Sequence, residues 1–397
     1  MTFVVDQRAR VGGGPGIHAL LLGVSAYRHL PTQPDPEAAD TLRLGQLSCA
    51  AISAYRLAQW LQQPTGHLAL PLITLRLLIS PSEAELNAEP ELAALEAGCT
   101  LQQVREAARD WSEDASTHPE SIAIFYFGGH GIQRSKGDCV LLLEDFADGE
   151  GGVLEKAISA RNVHNGMAPT ASPHRRCVAR SQLYLLDACR VDSPRLRDLE
   201  ATDPSVLWTT EMGGVDDRRA PTFFATVPGD AAYGRPAATT LFMDALIACL
   251  EGGAADLLEI DGREAWRVGA HGLTSALSEH LPELANQAGV AQEYRADGMG
   301  PNFFLHELAD PPAVPVELTI RPEDAIDHAA VSIRNEEGDA ACEVPRPLDP
   351  HPYHLELPAG YYMIGADVVP PDARFQPRAP YGRMVKPPRY PHTIQLA

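Results

Sequence analysis

Several things are missing from this 397-residue chain, and each absence removes a class of function. Its seven cysteines (Cys49, Cys99, Cys139, Cys177, Cys189, Cys249 and Cys342) contain no CxxC pair. An odd number without paired spacing argues against a disulfide framework and against a zinc knuckle. Several lie inside apolar runs, where a reduced cysteine packs as a small hydrophobe. A reducing, cytoplasmic compartment fits best. Basic residues are scarce: 32 against 53 acids leave a net charge of −21. Nucleic acid needs a positive footprint, so no nucleic-acid partner is expected. An anionic membrane surface is disfavoured for the same reason, whereas a cationic substrate is attracted. No apolar run approaches the ~18 residues of a spanning helix, so no membrane span is expected. The apolar stretch from Ile17 to Val24 is short, and Tyr27, Arg28 and His29 follow it where a signal peptide carries small residues. It reads as a first strand. A phosphate loop is also lacking, because Gly12-Gly-Gly14 and Gly16 precede that strand and such a loop must follow one.

What is present suits a globular chain. Hydrophobic residues make up 45% and charged residues 21%, which is ordinary, and the length predicts two or three domains. Residues 1–16 end in a glycine-rich stretch and read as a flexible lead-in. Apolar runs at 17–24, 72–79, 121–127, 182–186 and 221–226 read as strands buried on both faces. Apolar residues at helical spacing in 48–63 predict an amphipathic helix. Thr100 is a candidate N-cap for a second, and 240–250 and 273–285 read as two more. Strands alternating with helices imply a mostly parallel sheet flanked by helices. Beyond Asp310-Pro-Pro-Ala-Val-Pro315 the segments shorten and alternate with period two. Residues 17–310 are therefore expected to form an α/β domain, and 313–397 a small all-β sandwich.

Two segments carry chemistry. Phe125-Tyr-Phe-Gly-Gly-His130-Gly131 ends an apolar strand in glycines and then a histidine. Leu183-Tyr-Leu-Leu-Asp187-Ala-Cys189-Arg190 ends another with an acid and a thiol. In parallel sheets ligands bind beyond the carboxyl ends of the strands. If these two strands are neighbours, His130 and Cys189 meet there. A thiol needs a base or a positive charge to react at neutral pH, and a histidine can later protonate a leaving amine. The backbone N–H groups of Gly131 and Cys189 are the candidate oxyanion donors. Taken singly, a cysteine at a strand end is usually inert and a histidine after glycines is usually a loop residue. The pair in this setting is harder to dismiss.

These segments resemble the caspase-like superfamily of caspases, metacaspases and their bacterial relatives. Asp187-Ala188-Cys189-Arg190 matches the Ala-Cys-Arg part of the caspase cysteine pattern, and Phe127-Gly-Gly-His130-Gly131 is similar to the histidine motif. Phe223-Phe-Ala-Thr226 with Gly229, then 240–250, resembles the strand and helix that follow the cysteine. The resemblance covers roughly residues 17–305. It implies a caspase-like fold and a cysteine endopeptidase with a Cys189–His130 dyad. Caspases carry glutamine where Asp187 stands and cut after aspartate; metacaspases and many bacterial relatives carry aspartate there and cut after arginine or lysine. An acid lining the S1 pocket attracts a cationic side chain, so protein substrates with exposed Arg or Lys are expected. A second S1 acid is expected from Asp35, Asp40 or Asp230. Val191 and Ser53 depart from family patterns and leave the subfamily open.

Relatives often mature by self-cleavage in the linker after the cysteine, and Arg218 and Arg219 are the candidate processing sites; a solvated loop is the plainer reading. No cofactor or metal site is expected. Clustered acids in Glu144-Asp145-Phe-Ala-Asp148-Gly-Glu150 invite calcium, but the spacing fits no EF-hand loop and a solvated acidic loop is preferred. The C-terminal sandwich is a candidate platform for a regulatory protein partner. A bacterial stress or anti-phage circuit is suggested by analogy alone. The competing function is a non-catalytic scaffold that keeps the fold and signals by binding.

Overall fold

The computed structural model describes residues 3–34, 42–64, 66–95, 98–135, 138–148, 152–170, 177–190, 203–208, 215–260 and 262–396. In chain order the strands begin with β1 (Phe3–Asp6), β2 (Ile17–Val24), β3 (His67–Leu68), β4 (Leu72–Ser80) and β5 (Ile122–Gly129). β6 (Gly131–Ser135), β7 (Asp138–Leu142), β8 (Ala157–Ser159), β9 (Ser181–Ala188) and β10 (Thr222–Phe224) follow. The helices among them are α1 (Arg8–Val11), α2 (Ala50–Gln62), α3 (Glu83–Ala88), α4 (Leu101–Ala115), α5 (Ala160–Gly166) and α6 (Leu241–Ala248). Next come β11 (Ala255–Ile260), β12 (Arg263–Gly269), α7 (Ala270–Gln287), β13 (Arg295–Asp297) and β14 (Phe304–Glu307). The C-terminal strands are β15 (Ala313–Arg321), β16 (Ala329–Arg334), β17 (Tyr353–Pro358), β18 (Gly360–Val368), β19 (Arg378–Val385) and β20 (Tyr390–Gln395). Packing divides the chain into two units, one of residues 1–64, 68–247 and 277–305, the other of 65–67, 248–276 and 306–397.

In the first unit a seven-stranded sheet runs β1-β4-β2-β5-β9-β10-β13. β4, β2, β5, β9 and β10 are parallel neighbours, and the two edge strands are antiparallel. This is the expected mostly parallel sheet. The edges were not legible in sequence: β1 lies in the stretch read as a lead-in, and β13 is short and charged. β10 is also shorter than the expected 221–226.

Complete burial of β2 follows from helices on both of its faces. Leu20, Leu22 and Val24 join Leu101, Val104 and Trp111 of α4 in one core. On the opposite face a Cβ on Gly23 would fall 2.7 Å from the Ala50 oxygen and 2.8 Å from the Ala54 Cβ, so α2 rests against bare backbone. Thr100 caps α4, its hydroxyl accepting from the Gln103 N–H, as the sequence predicts. α2 has no cap of its own. The buried carboxylate of Glu85 accepts from the N–H groups of Ala51 and Ile52, and the Ser25 hydroxyl accepts from that of Ala50. Those donors would otherwise be orphaned at the helix start.

The chain leaves β2 for β4 on one side, then returns to the other side for β5, β9 and β10. The carboxyl ends of β2 and β5 therefore flank the reversal of strand order, where such sheets place their ligands. A small antiparallel sheet, β6-β7-β8, follows β5 directly.

In the second unit, β11 and β12 form an antiparallel pair. Two three-stranded sheets follow, β17-β15-β20 and β16-β18-β19. β15 alternates buried and exposed, with Val314, Val316, Leu318 and Ile320 inside, the pattern expected of a strand with one wet face. The proline-bearing β19 was not anticipated from sequence. No helix among the described residues is long and apolar enough to cross a membrane.

Candidate active site

β5 and β9 are parallel neighbours with Gly128 beside Asp187 and Gly129 beside Ala188. His130 and Cys189 are the next residues along each chain, just past the paired ends of the two strands. Within the strands, Tyr126 and Asp187 project to one face of the sheet, where the Tyr126 hydroxyl reaches the Asp187 carboxylate. Gly131 makes the approach close: a Cβ there would sit 2.5 Å from the Cys189 oxygen and 2.8 Å from the Ala188 Cβ. The backbone of Gly131 and that of Cys189 are thus neighbours.

The His130 imidazole is buried and held at both ends. Its main-chain N–H donates to the Tyr27 hydroxyl at 2.7 Å, and the two rings lie 5.0 Å apart. Nε2 lies 2.7 Å from the Gly45 oxygen. A carbonyl only accepts, so Nε2 carries the proton and Nδ1 keeps its lone pair. Burial lowers the His130 pKa to about 4, with the Gly45 carbonyl pulling the other way. The ring is accordingly a neutral base across ordinary pH. The Cys189 thiol is raised by burial, opposed by its hydrogen bonding at Ala232. The Ala232 N–H points at Sγ from 3.3 Å. In the resting state both partners are neutral.

Asp187 is buried to 2% exposure. Its Oδ2 accepts from the hydroxyls of Tyr126 at 2.9 Å and Thr240 at 2.5 Å. Its Oδ1 is equally buried and has no partner among the described residues. Burial pushes its pKa up to about 6, against both hydroxyl donors. Gly128 makes room for this arrangement, since a Cβ there would fall 2.7 Å from the Tyr126 oxygen. Ser53 supports it from α2, accepting from the Thr240 N–H at 3.0 Å. Cys49 lies close by, its thiol pushed up to about 12 by burial and then by the Asp187 charge.

Of the other acids expected at S1, Asp230 stands near Cys189. Its carbonyl accepts from the Arg190 N–H at 3.0 Å, and its charge acts on the Cys189 thiol. Its Oδ1 is occupied by the Ala231 N–H at 2.8 Å. Asp35 and Asp40 lie outside the described residues. Arg190 is buried, donating from Nε to Gln133 at 2.7 Å with its guanidinium 4.1 Å over Phe224.

Arg218 and Arg219 are built into the fold. The Arg218 side chain is 2% exposed and donates to Asp216, to the His164 carbonyl and to Gln182, the last two at 2.9 Å. Arg219 bridges Ser181 in parallel. Cleavage after either needs these contacts opened first. The acidic segment also has other work. Glu144 accepts from the Cys99 N–H and from Arg28, Asp145 from the Leu101 N–H, and Asp148 pairs with Lys156. Glu150 lies outside the described residues. No group of three or more metal-ligating side chains converges among the described residues.

Sequence reasoning missed Tyr27, Gly45, Gln46, Tyr126, Ala232 and Thr240. Gly45 and Ala232 act through their backbones, which leaves no mark of residue type.

With this geometry in place, comparison with known proteins gives the class. A family model of the caspase domain of C14 peptidases matches residues 18–265. The chain belongs to that family. It is also 25% identical over 218 residues to the uncharacterized protein y4kE of Sinorhizobium fredii. That match covers 54% of this chain and 59% of the relative, so the chain spans little more than half of it.

Proposed function

We propose that this protein is a cysteine endopeptidase that cuts protein substrates after arginine or lysine. The observation that supports the proposal is the register of β5 and β9, which pairs Gly129 with Ala188, the residues just before His130 and Cys189. Nδ1 of His130 takes the thiol proton as sulfur attacks the scissile carbonyl carbon. The N–H groups of Gly131 and Cys189 are assigned to the resulting oxyanion. The protonated imidazole then gives its proton to the departing amine, leaving a thioester on Cys189. Water, deprotonated by His130, hydrolyses it.

Asp187 supplies the selectivity. Its buried Oδ1 is an acceptor without a donor among the described residues, a costly state unless a ligand completes it. A P1 guanidinium or ammonium does so with charge. Asp230 is the proposed second acid, acting through its field. Self-processing at Arg218 or Arg219, a partner docked on the C-terminal sheets, and a stress or anti-phage role rest on resemblance alone.

The test uses fluorogenic peptides ending in Arg, Lys or Asp, with wild type and Cys189→Ala, with and without calcium. Cleavage after Arg and Lys that is absent from Cys189→Ala is expected. Cleavage after Asp alone overturns the S1 assignment. Equal signals from wild type and Cys189→Ala overturn the protease reading and favour a binding scaffold.

A further inference from the structure

We propose that Gln46 is a positioning residue for His130, a role that rests on the protease reading above. His130 is gripped by two separate segments. The loop after β2 supplies the Tyr27 hydroxyl to its main chain, and the segment before α2 supplies the Gly45 carbonyl to its ring. A grip from two places is only as rigid as the connection between them, and among the described residues the Gln46 side chain supplies three of the bonds in that connection.

The Gln46 Oε1 accepts from the Tyr27 N–H at 2.7 Å. Its Nε2 donates to the Tyr27 carbonyl at 2.8 Å and to the Leu30 carbonyl at 2.7 Å. Main-chain bonds flank it, Gln46 N–H to Pro31 O at 3.1 Å and Leu47 N–H to Ser25 O at 2.9 Å. Gly45, one residue before Gln46, is packed on the same loop; a Cβ there would sit 2.7 Å from the Pro34 nitrogen. The amide thus ties the peptide that holds the ring to the residue that holds the main chain.

The chemistry explains why this residue is glutamine. The three bonds require one acceptor and two donors on one planar head. Glutamate offers only acceptors and would set its charge against two carbonyls. Asparagine is one methylene too short to span the same gap. With the clamp intact, Gly45 O stays on Nε2–H and the base lone pair stays on Nδ1. With it lost, the carbonyl drifts and the imidazole is free to exchange tautomers.

Gln46→Met keeps length and removes all three bonds. Full-length protein labelled with ¹⁵N-histidine, with His130→Ala for assignment, reports the ring tautomer without needing activity. Wild type is expected to show a single Nε2–H tautomer, and Gln46→Met a mixture. Against an Arg peptide, kcat should fall ~10- to 100-fold with KM nearly unchanged, a part of the 10²–10⁴ that a placed acid/base contributes. Gln46→Glu, which keeps the Tyr27 N–H bond and loses both donations, should fall in the same direction. It serves as the second variant if the first misfolds. An unaltered tautomer with kcat within twofold of wild type overturns the proposal. If wild type cleaves no peptide, the protease reading fails while the tautomer measurement still decides the role of Gln46.

Discussion

Asp187→Asn isolates the charge of the proposed S1 acid while keeping its shape. Asparagine can still accept from Tyr126 and Thr240 through its carbonyl, so the surrounding bonds survive. What goes is the negative charge facing the P1 cation. Removing one partner of a buried, hydrogen-bonded charge pair costs about 2–5 kcal/mol. That corresponds to a loss of about 30- to 5,000-fold in kcat/KM for Arg and Lys peptides. The pH dependence adds a second, sharper test. The free-enzyme Asp187 titrates at about 6 and His130 at about 4. The acid limb of kcat/KM, which reports the free enzyme, should therefore fall near pH 6 and belong to Asp187. In Asp187→Asn that limb should vanish, leaving only a weaker fall toward pH 4. Stability moves the opposite way. Asp187 binds its proton more tightly folded than unfolded, so its contribution weakens as pH rises from 3.8 to about 6 and stays weak above. That gap is worth about 3 kcal/mol. Asp187→Asn should thus raise Tm relative to wild type at pH 8, reduced by the cost of its unpartnered NH₂, and lose that advantage near pH 4. An unchanged acid limb, or a retained preference for Arg and Lys, refutes the assignment.

Other expectations follow from the same geometry. Gly128→Ala drives a methyl into the Tyr126 hydroxyl and removes one donor from Asp187; KM for Arg peptides should rise several-fold in steady-state assays while Cys189 still reacts with iodoacetamide. His130→Ala should lower kcat by ~10²–10⁴, the usual worth of a general acid/base, with an unchanged circular dichroism spectrum; residual activity near wild type removes His130 from the reaction. Arg218→Ala breaks a buried network with Asp216, Gln182 and the His164 carbonyl. It should cost ~1–3 kcal/mol, because two acceptors lose their donor, read as a drop in thermal midpoint. If Arg218→Ala instead melts like wild type and abolishes self-cleavage on a gel, Arg218 is a processing site and not an anchor.

The amino-acid sequence alone determined the pieces that depend on local pattern. Apolar runs at 17–24 and 121–127 read as strands covered on both faces, and Thr100 marked the start of α4. Residue types that are rarely placed together by accident, histidine after two glycines and cysteine after Asp-Ala, marked the candidate dyad and its acid. Tertiary structure decided what those residues face. Which strands are neighbours is a matter of non-local pairing, and only the β5–β9 register shows that the strands leading to His130 and Cys189 lie side by side. The tautomer is set by the Gly45 carbonyl, and every residue has a carbonyl, so no sequence signal distinguishes this one. Arg218 read as an exposed linker cation because charge favours solvent, yet a ring of acceptors in the fold compensates it inside. The charge state of Asp187 was equally invisible, since burial, not residue type, lifts its proton affinity toward pH 6.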